Sequence, residues 1–161
     1  GMARRVLIAA AVMDRPRLIV ADEPTPGLDT RAAGRILGHL GELAEEGAAV
    51  LLITHDLEMA LTIAHRVVVL YAGETVEEAD AADFAAGRLR HPYTRALWNA
   101  LPRNGFAPIP GTQPCPGELT EGCQFASRCP HCQASCREGD VPTVPLRGGT
   151  VRCRFPEGGA A

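Results

Sequence analysis

The stretch RLIVADEPTPGLD, residues 17–29, determines the fold class of this 161-residue chain. Four apolar residues, 18–21, run directly into two adjacent carboxylates, Asp22 and Glu23, and then into a turn with two prolines. A short and continuously apolar run predicts a strand that is covered on both faces. Because burying a charge without a partner is costly, the two acids are expected at the exposed end of that strand.

Further apolar runs follow along the first hundred residues and alternate with helical patterns. Strands are predicted at residues 17–21, 48–54 and 66–71. Apolar residues within 36–43 share one face of a helix that Gly47 could end, and a second helical pattern follows Asp56, a candidate N-cap. This alternation predicts an α/β fold with a parallel sheet flanked by helices.

Composition and charge exclude several classes of protein. Hydrophobic residues make up 46% of the chain and the formal charge is −3, which argues against a disordered tail and a basic nucleic-acid surface. No apolar run reaches the roughly 18 residues that a membrane-spanning helix needs. Two arginines and the run Val6–Met13 imitate a secretory signal peptide, but charged residues follow without a convincing cleavage site. An amphipathic helix that ends before Pro16 is the preferred interpretation.

The character of the chain changes after about residue 80. A short helix is predicted at 94–101, and residues 102–117 then contain five prolines and three glycines, which predicts a linker without regular structure. All six cysteines follow residue 114. The predicted division is therefore 1–80 for an α/β part, 81–114 for a helix and linker, and 115–161 for a small cysteine-rich extension.

The paired acids have a chemical interpretation as well as a structural one. At the end of a parallel strand, Asp22 could hold a hydrated Mg²⁺, and Glu23 could orient or deprotonate an attacking water. His55 follows the second predicted strand and would reach the same edge of the sheet. This arrangement suits phosphoryl transfer. The alternative is that the two acids only cap the turn that follows them.

The succession RLIVADEPTPGLD and LLITHD resembles the Walker B, D-loop and H-loop segments of ATP-binding-cassette (ABC) ATPases. The resemblance implies that Asp22 organises Mg²⁺, that Glu23 is the catalytic carboxylate, and that His55 contacts the γ-phosphate of ATP. It places Asp29 in a loop that crosses to a second ATP-binding subunit. The opening GMARR resembles the end of the family's signature motif, so Gly1 would bond to nucleotide on that second subunit.

One hallmark of the family is absent from these residues. The chain contains no G-x-x-x-x-G-K-[ST] phosphate loop, and since all 16 cationic residues are arginine, no lysine is available for one. The chain is therefore expected to be the C-terminal part of a longer subunit with a partial P-loop NTPase fold. Alone it should neither bind ATP tightly nor hydrolyse it, and uncovered strand edges should make it poorly soluble.

The cysteines and the segment RHPYTRALWNALP, residues 90–102, narrow the resemblance to the subunits of dipeptide, oligopeptide and nickel importers. Cysteine spacing by itself admits disulfides, a metal site or reduced thiols. Four cysteines match the family pattern with spacing C-x5-C-x6-C-x16-C, namely Cys123, Cys129, Cys136 and Cys153. Four thiolates suit Zn²⁺ or a [4Fe–4S] cluster, and the resemblance favours the cluster. Cys115 and Cys132 are interpreted as supernumerary.

The resulting functional prediction is the ATP-binding and ATP-hydrolysing subunit of a bacterial ABC importer for peptides or related solutes. The resemblance implies a second ATP-binding subunit, transmembrane permease subunits and, indirectly, a solute-binding protein as partners, and no nucleic acid. It implies a peripheral location at the cytoplasmic face of the cell membrane. The alternative prediction is a non-catalytic metal-binding or interaction module on a degenerate ABC ATPase scaffold.

Overall fold

The computed structural model of the chain describes residues 6–7, 10–119, 121–146 and 148–157. The main elements, in chain order, are β1 (Leu18–Asp22), α1 (Thr30–Glu45), β2 (Ala49–Ile53), α2 (Leu57–Ala60), β3 (Arg66–Tyr71), β4 (Glu74–Asp80), α3 (Ala81–Ala85), α4 (Pro92–Asn99), β5 (Thr143–Leu146) and β6 (Gly149–Arg152). This confirms the predicted mixed α/β class. The chain forms two compact units, one ending at Ala64 and the next beginning at His65.

The first unit contains a two-stranded parallel sheet with α1 packed on one face. β1 and β2 pair in register from Leu18 opposite Ala49 to Asp22 opposite Ile53. The helix begins where Asp29 accepts a hydrogen bond from the backbone N–H of Ala32 at 2.8 Å. It ends before Gly47, whose φ of +104° continues the chain in the left-handed region, as predicted.

The core of this unit is formed by one face of each element. Ile19 of β1 and three residues of α1, Ile36, Leu37 and Leu40, are each at most 9% exposed. Burying side chains of this size contributes about 1.5–3 kcal/mol each. The periodicity of α1 therefore predicted its buried face correctly.

The opposite face of the parallel pair is exposed within the described residues. Leu18, Val20, Leu51 and Ile53 are between 46% and 59% exposed. Successive side chains of a strand alternate between the two faces, and α1 packs against only one of them. The expectation of strands covered on both faces is therefore not met in this part of the chain.

The third predicted strand does not extend the parallel sheet. β3 pairs with β4 antiparallel, in a four-stranded sheet of order β3-β4-β6-β5. Ala72 and Gly73, between β3 and β4, have φ values of +49° and +83°. Two successive residues with positive φ are typical of the tight turn that joins antiparallel strands, and this turn determines the pairing.

The cysteine-rich segment shares the antiparallel sheet. β6 pairs with β4 through Glu77 opposite Val151 and Glu78 opposite Thr150. A segment too short to bury a core of its own can gain burial by extending an existing sheet. The boundary between the two compact units falls at residue 64/65. The predicted division of the chain at residues 80 and 114 stays a prediction.

The proline-rich segment is held in place rather than free. It contains two short 3₁₀ helices, Pro102–Asn104 and Pro116–Glu118, with irregular backbone between them. The guanidinium of Arg128 donates to the carbonyl oxygens of Pro110 at 2.7 Å and Ile109 at 3.1 Å. Helix α4 begins at Pro92, two residues before the predicted start, because His91 caps it and proline is favoured in the first turn.

Candidate functional site

The first candidate site lies where β1 and β2 end side by side. Asp22 pairs with Ile53, and the next residue, Glu23, donates its backbone N–H to the carbonyl oxygen of Ile53 at 2.8 Å. In a parallel pair the carboxyl ends of both strands meet at one edge. The polar residues that follow the two strands are consequently neighbours in space.

The carboxylate of Glu23 accepts three hydrogen bonds from the two residues that follow β2. Its Oε1 lies 2.8 Å from Nδ1 of His55 and 3.2 Å from the backbone nitrogen of the same residue. The hydroxyl of Thr54 donates to Oε2 at 3.3 Å. An ionised carboxylate can only accept, so Nδ1 of His55 carries the proton in this contact.

This contact shifts the pKa values of Glu23 and His55 in opposite directions. The side-chain hydrogen bond from His55 is the largest cause that lowers the pKa of Glu23. The same bond is the largest cause that raises the pKa of His55, and the negative charge of Glu23 adds to it. The pair therefore favours an ionised carboxylate beside a protonated ring. The side chain of His55 is 81% exposed, which leaves the ring accessible to a ligand.

The backbone of Glu23 adopts a rare conformation. Its φ is +43°, in the left-handed region that residues other than glycine seldom enter. Such conformations cost on the order of 1–3 kcal/mol and occur preferentially at functional sites. Here the backbone hydrogen bond to Ile53 and the three donors to the carboxylate hold the residue in place.

The other residues predicted for this site differ in position and in hydrogen-bond partners. Asp22 is exposed at the end of β1, as a cation ligand requires. Asp29 caps α1, so its carboxylate has a structural partner. Gly1 lies outside the described residues. Thr54 was not predicted to belong to the site. Its position directly before His55, at the end of a predicted strand, is the sequence feature that could have indicated it.

The second candidate site is a cavity lined by the four cysteines that match the family pattern. Cys123, Cys129, Cys136 and Cys153 all line it. Its remaining lining residues are His91, Pro92, Phe125, Ala126, His131, Val141, Arg154 and Phe155. All six cysteines of the chain are free thiols, and neither Cys115 nor Cys132 is among the described residues that line the cavity. The four matching cysteines thus share one cavity lining, while Cys132 lies beside it and donates its backbone N–H to the carbonyl oxygen of Cys129 at 3.2 Å.

The surroundings of these thiols bear on whether they suit the predicted metal group. Burial is the largest cause that raises the pKa of Cys123, of Cys129 and of Cys153, the last to about 11. Neighbouring cysteines contribute to each shift, since each would oppose a second negative charge nearby. Four thiols that line one cavity are a donor set whose chemistry fits a sulfur-bound metal group. However, among the described residues, no three His, Cys, Asp or Glu side chains are already arranged to hold a metal ion.

One wall of this cavity is fixed by a buried carboxylate. Glu77 is completely buried and accepts the backbone N–H groups of Arg90 at 3.0 Å and of His91 at 2.8 Å. The guanidinium of Arg90 lies 3.6 Å from Glu77 and pairs with Asp83. His91 is 1% exposed, and burial lowers its pKa to about 4. These residues were not identified as functional from the sequence.

The sequence of the chain is similar to those of known transport proteins. Residues 76–136 match the family model for the oligopeptide/dipeptide transporter C-terminal region. The dipeptide transport ATP-binding protein DppD of Escherichia coli is 41% identical over 164 residues, covering 97% of this chain and 50% of the relative. OppD, the oligopeptide transport ATP-binding protein of the same organism, is 42% identical over 161 residues, covering 96% and 47%. AppD of Bacillus subtilis, of the same description, is 38% identical over 160 residues, covering 95% and 48%.

These matches support the class of ABC-type ATP-binding proteins for the chain. Residues 76–136 belong to the oligopeptide/dipeptide transporter C-terminal region, and the relatives support recognition of the chain as part of a dipeptide or oligopeptide ABC ATP-binding subunit. The chain spans about half the length of the curated relatives it matches. Nowhere in its described part is there a helix with the length and apolarity needed to cross a membrane.

Proposed function

We propose that this chain carries the C-terminal half of a subunit that hydrolyses ATP to drive peptide import. The observation that carries the proposal is the 2.8 Å contact between Glu23 and His55 at the shared end of β1 and β2. It is supported by the family of the chain and by the relatives named for dipeptide and oligopeptide transport. Binding of the phosphates additionally requires a phosphate loop, which these 161 residues do not contain.

Each residue of the strand-end site has a distinct proposed role. Glu23 accepts a proton from the attacking water, a role that suits a carboxylate kept ionised by its neighbours. His55 donates a hydrogen bond from its exposed ring toward the γ-phosphate, and its raised pKa increases the fraction of rings that can donate. Asp22 supplies a carboxylate oxygen for Mg²⁺, the cation that neutralises phosphate charge in such reactions.

The proposed assembly contains two such subunits. Asp29 and Gly1 are assigned to the surface that meets the second ATP-binding subunit, which is either identical or a paralogue. The pair would act on permease subunits from the cytoplasmic face of the cell membrane and receive solute delivered by a binding protein. These assignments rest on the family resemblance.

For the cysteines, we propose a [4Fe–4S] cluster held by Cys123, Cys129, Cys136 and Cys153, with Zn²⁺ as the competing occupant. Support comes from the shared cavity, the free thiols of the cysteines in the described residues and the all-sulfur donor set. When bound, such a cluster would cross-link four points of a loop-rich segment. Iron and sulfide analysis of the purified protein distinguishes the cluster from stoichiometric zinc and from reduced thiols.

The decisive experiment on the strand-end site replaces Glu23 by glutamine in the protein as expressed from its own gene. We expect ATP binding to persist and turnover to fall by about 10²–10⁴-fold, because glutamine cannot accept the proton. The matched control is Glu42→Gln, which alters a Glu–His pair of similar length, 3.0 Å to His39, on the surface of α1. The control should retain full turnover. If Glu23→Gln also retains it, the assigned role is wrong and the non-catalytic alternative gains support.

A further inference from the structure

His91 presents a buried polar atom that the strand-end chemistry does not use. The side chain is 1% exposed and lines the same cavity as the four matching cysteines. Among the described residues, Nε2 of this ring has no hydrogen-bond partner. Buried polar atoms without partners are rare, because each loses its bond to water and gains nothing in return.

The hydrogen bond at the opposite side of the ring determines what Nε2 can do. The backbone N–H of Tyr93 points at Nδ1 from 3.0 Å, so Nδ1 must present its lone pair. The proton of the neutral imidazole then resides on Nε2. His91 is therefore a hydrogen-bond donor at the cavity and cannot bind a metal ion through that nitrogen.

The cavity contains few strong acceptors for this donor while its thiols are protonated. Proline, phenylalanine, alanine and valine form much of the lining, and a neutral thiol is a weak acceptor. Binding of a metal group converts thiols to thiolates, and thiolate or sulfide sulfur accepts N–H bonds more strongly. The Nε2–H group of His91 thus has a strong acceptor in the cavity only when a metal group is bound to the cysteines.

We propose that His91 donates a hydrogen bond through Nε2–H to a sulfur atom of the iron–sulfur group held by the four cysteines, and so sets its reduction potential. This inference rests on the proposed cysteine site. The residue is a positioning residue held from two sides, since Glu77 fixes its backbone N–H and Tyr93 fixes its ring. Hydrogen bonds to cluster sulfur stabilise the more negative, reduced form and raise the potential.

The test uses the protein as expressed from its own gene, reconstituted with ferrous iron and sulfide. In His91→Asn, the shorter side chain can still cap α4 but cannot present a donor at the position of Nε2. We expect unchanged iron and sulfide content and a midpoint potential lower by about 59 mV, which corresponds to a tenfold change for one electron. His91→Gln, whose longer amide can donate, should recover part of the shift. The matched control is His131→Asn, which alters an exposed histidine that lines the same cavity and should leave the potential unchanged.

The outcomes separate the two proposals. Wild-type protein that binds no iron overturns the cysteine site and this inference together. A normal cluster whose potential is the same in His91→Asn overturns only the inference. If that variant does not fold, nitrogen-15 spectra of the wild type decide. A shifted, slowly exchanging Nε2–H signal that appears on cluster loading supports the bond, and a rapidly exchanging one refutes it.

Discussion

Replacing Glu77 by glutamine should destabilise the second unit severely, although the change is one atom in size. The carboxylate is 0% exposed and accepts the N–H groups of Arg90 and His91. It also lies 3.6 Å from the guanidinium of Arg90, itself 2% exposed. Glutamine keeps one acceptor oxygen and turns an amide donor toward groups that are donors themselves.

The magnitude follows from what each partner loses. Breaking a buried ion pair from one side typically costs about 3–5 kcal/mol, because the remaining charge stays buried without its counterion. Arg90 retains its contact with Asp83, which moderates this cost. We therefore expect a loss of about 3–4 kcal/mol, near the lower end of that range. Domains have a total stability of about 5–15 kcal/mol, so a substantial unfolded fraction is expected.

Urea unfolding followed by the fluorescence of Trp98 measures this loss. Trp98, the chain's one tryptophan, lies in α4 with its ring centroid 6.5 Å from that of Phe84, so it reports on this unit. The matched control is Glu78→Gln on the same strand, whose partly exposed carboxylate pairs with Arg66. It should cost less than about 1 kcal/mol. A Glu77→Gln variant that loses no more than this control would refute the assigned network.

Two further predictions concern the same unit. Hydrogen bonds lower the pKa of Asp83, the one from Arg88 more than the one from Arg90. The stability that these bonds contribute is fully present above pH 3.8, the ordinary pKa of the group, and is lost as pH falls through the lowered pKa. Asp83→Asn should therefore be less stable than wild type at neutral pH, and the urea midpoints of the two proteins should converge as pH falls below 3.8. Urea midpoints that stay equally far apart over this range would contradict the prediction. Gly122→Ala places a Cβ 2.5 Å from the carbonyl oxygen of Cys136, whereas Gly117→Ala meets nothing within 4 Å. Only the first should lower thermal stability and metal uptake, and equal effects would show that the close approach is not responsible.

In residues 17–64, local sequence patterns predicted most of the secondary structure. Apolar periodicity, Gly47 after α1 and Asp56 before α2 are all local signals, and the structure uses each as predicted, whereas the helix cap at Asp29 was not predicted. The strand-end geometry followed from one further rule, that parallel strands end at a common edge. The roles of Glu23 and His55 in catalysis stay predictions.

Pairing partners were harder to predict, because they depend on contacts between distant residues. Arg66–Tyr71 is as apolar as the first two strands, yet a turn at Ala72 and Gly73 pairs it antiparallel with β4. The pairing of β6 with β4 likewise joins residues more than seventy positions apart. Burial that depends on such pairings has no local signature in the sequence.

The sequence by itself determined the elements of the first unit, the four matching cysteines and the acids at a strand end, because these depend on spacing and residue type. Only the tertiary structure decided that Glu77 would be buried, that Arg90 and His91 would converge on it, and that a histidine donor would face the cysteine cavity. A buried charge is tolerated only where partners from other segments surround it. Those partners become visible only once the chain is folded.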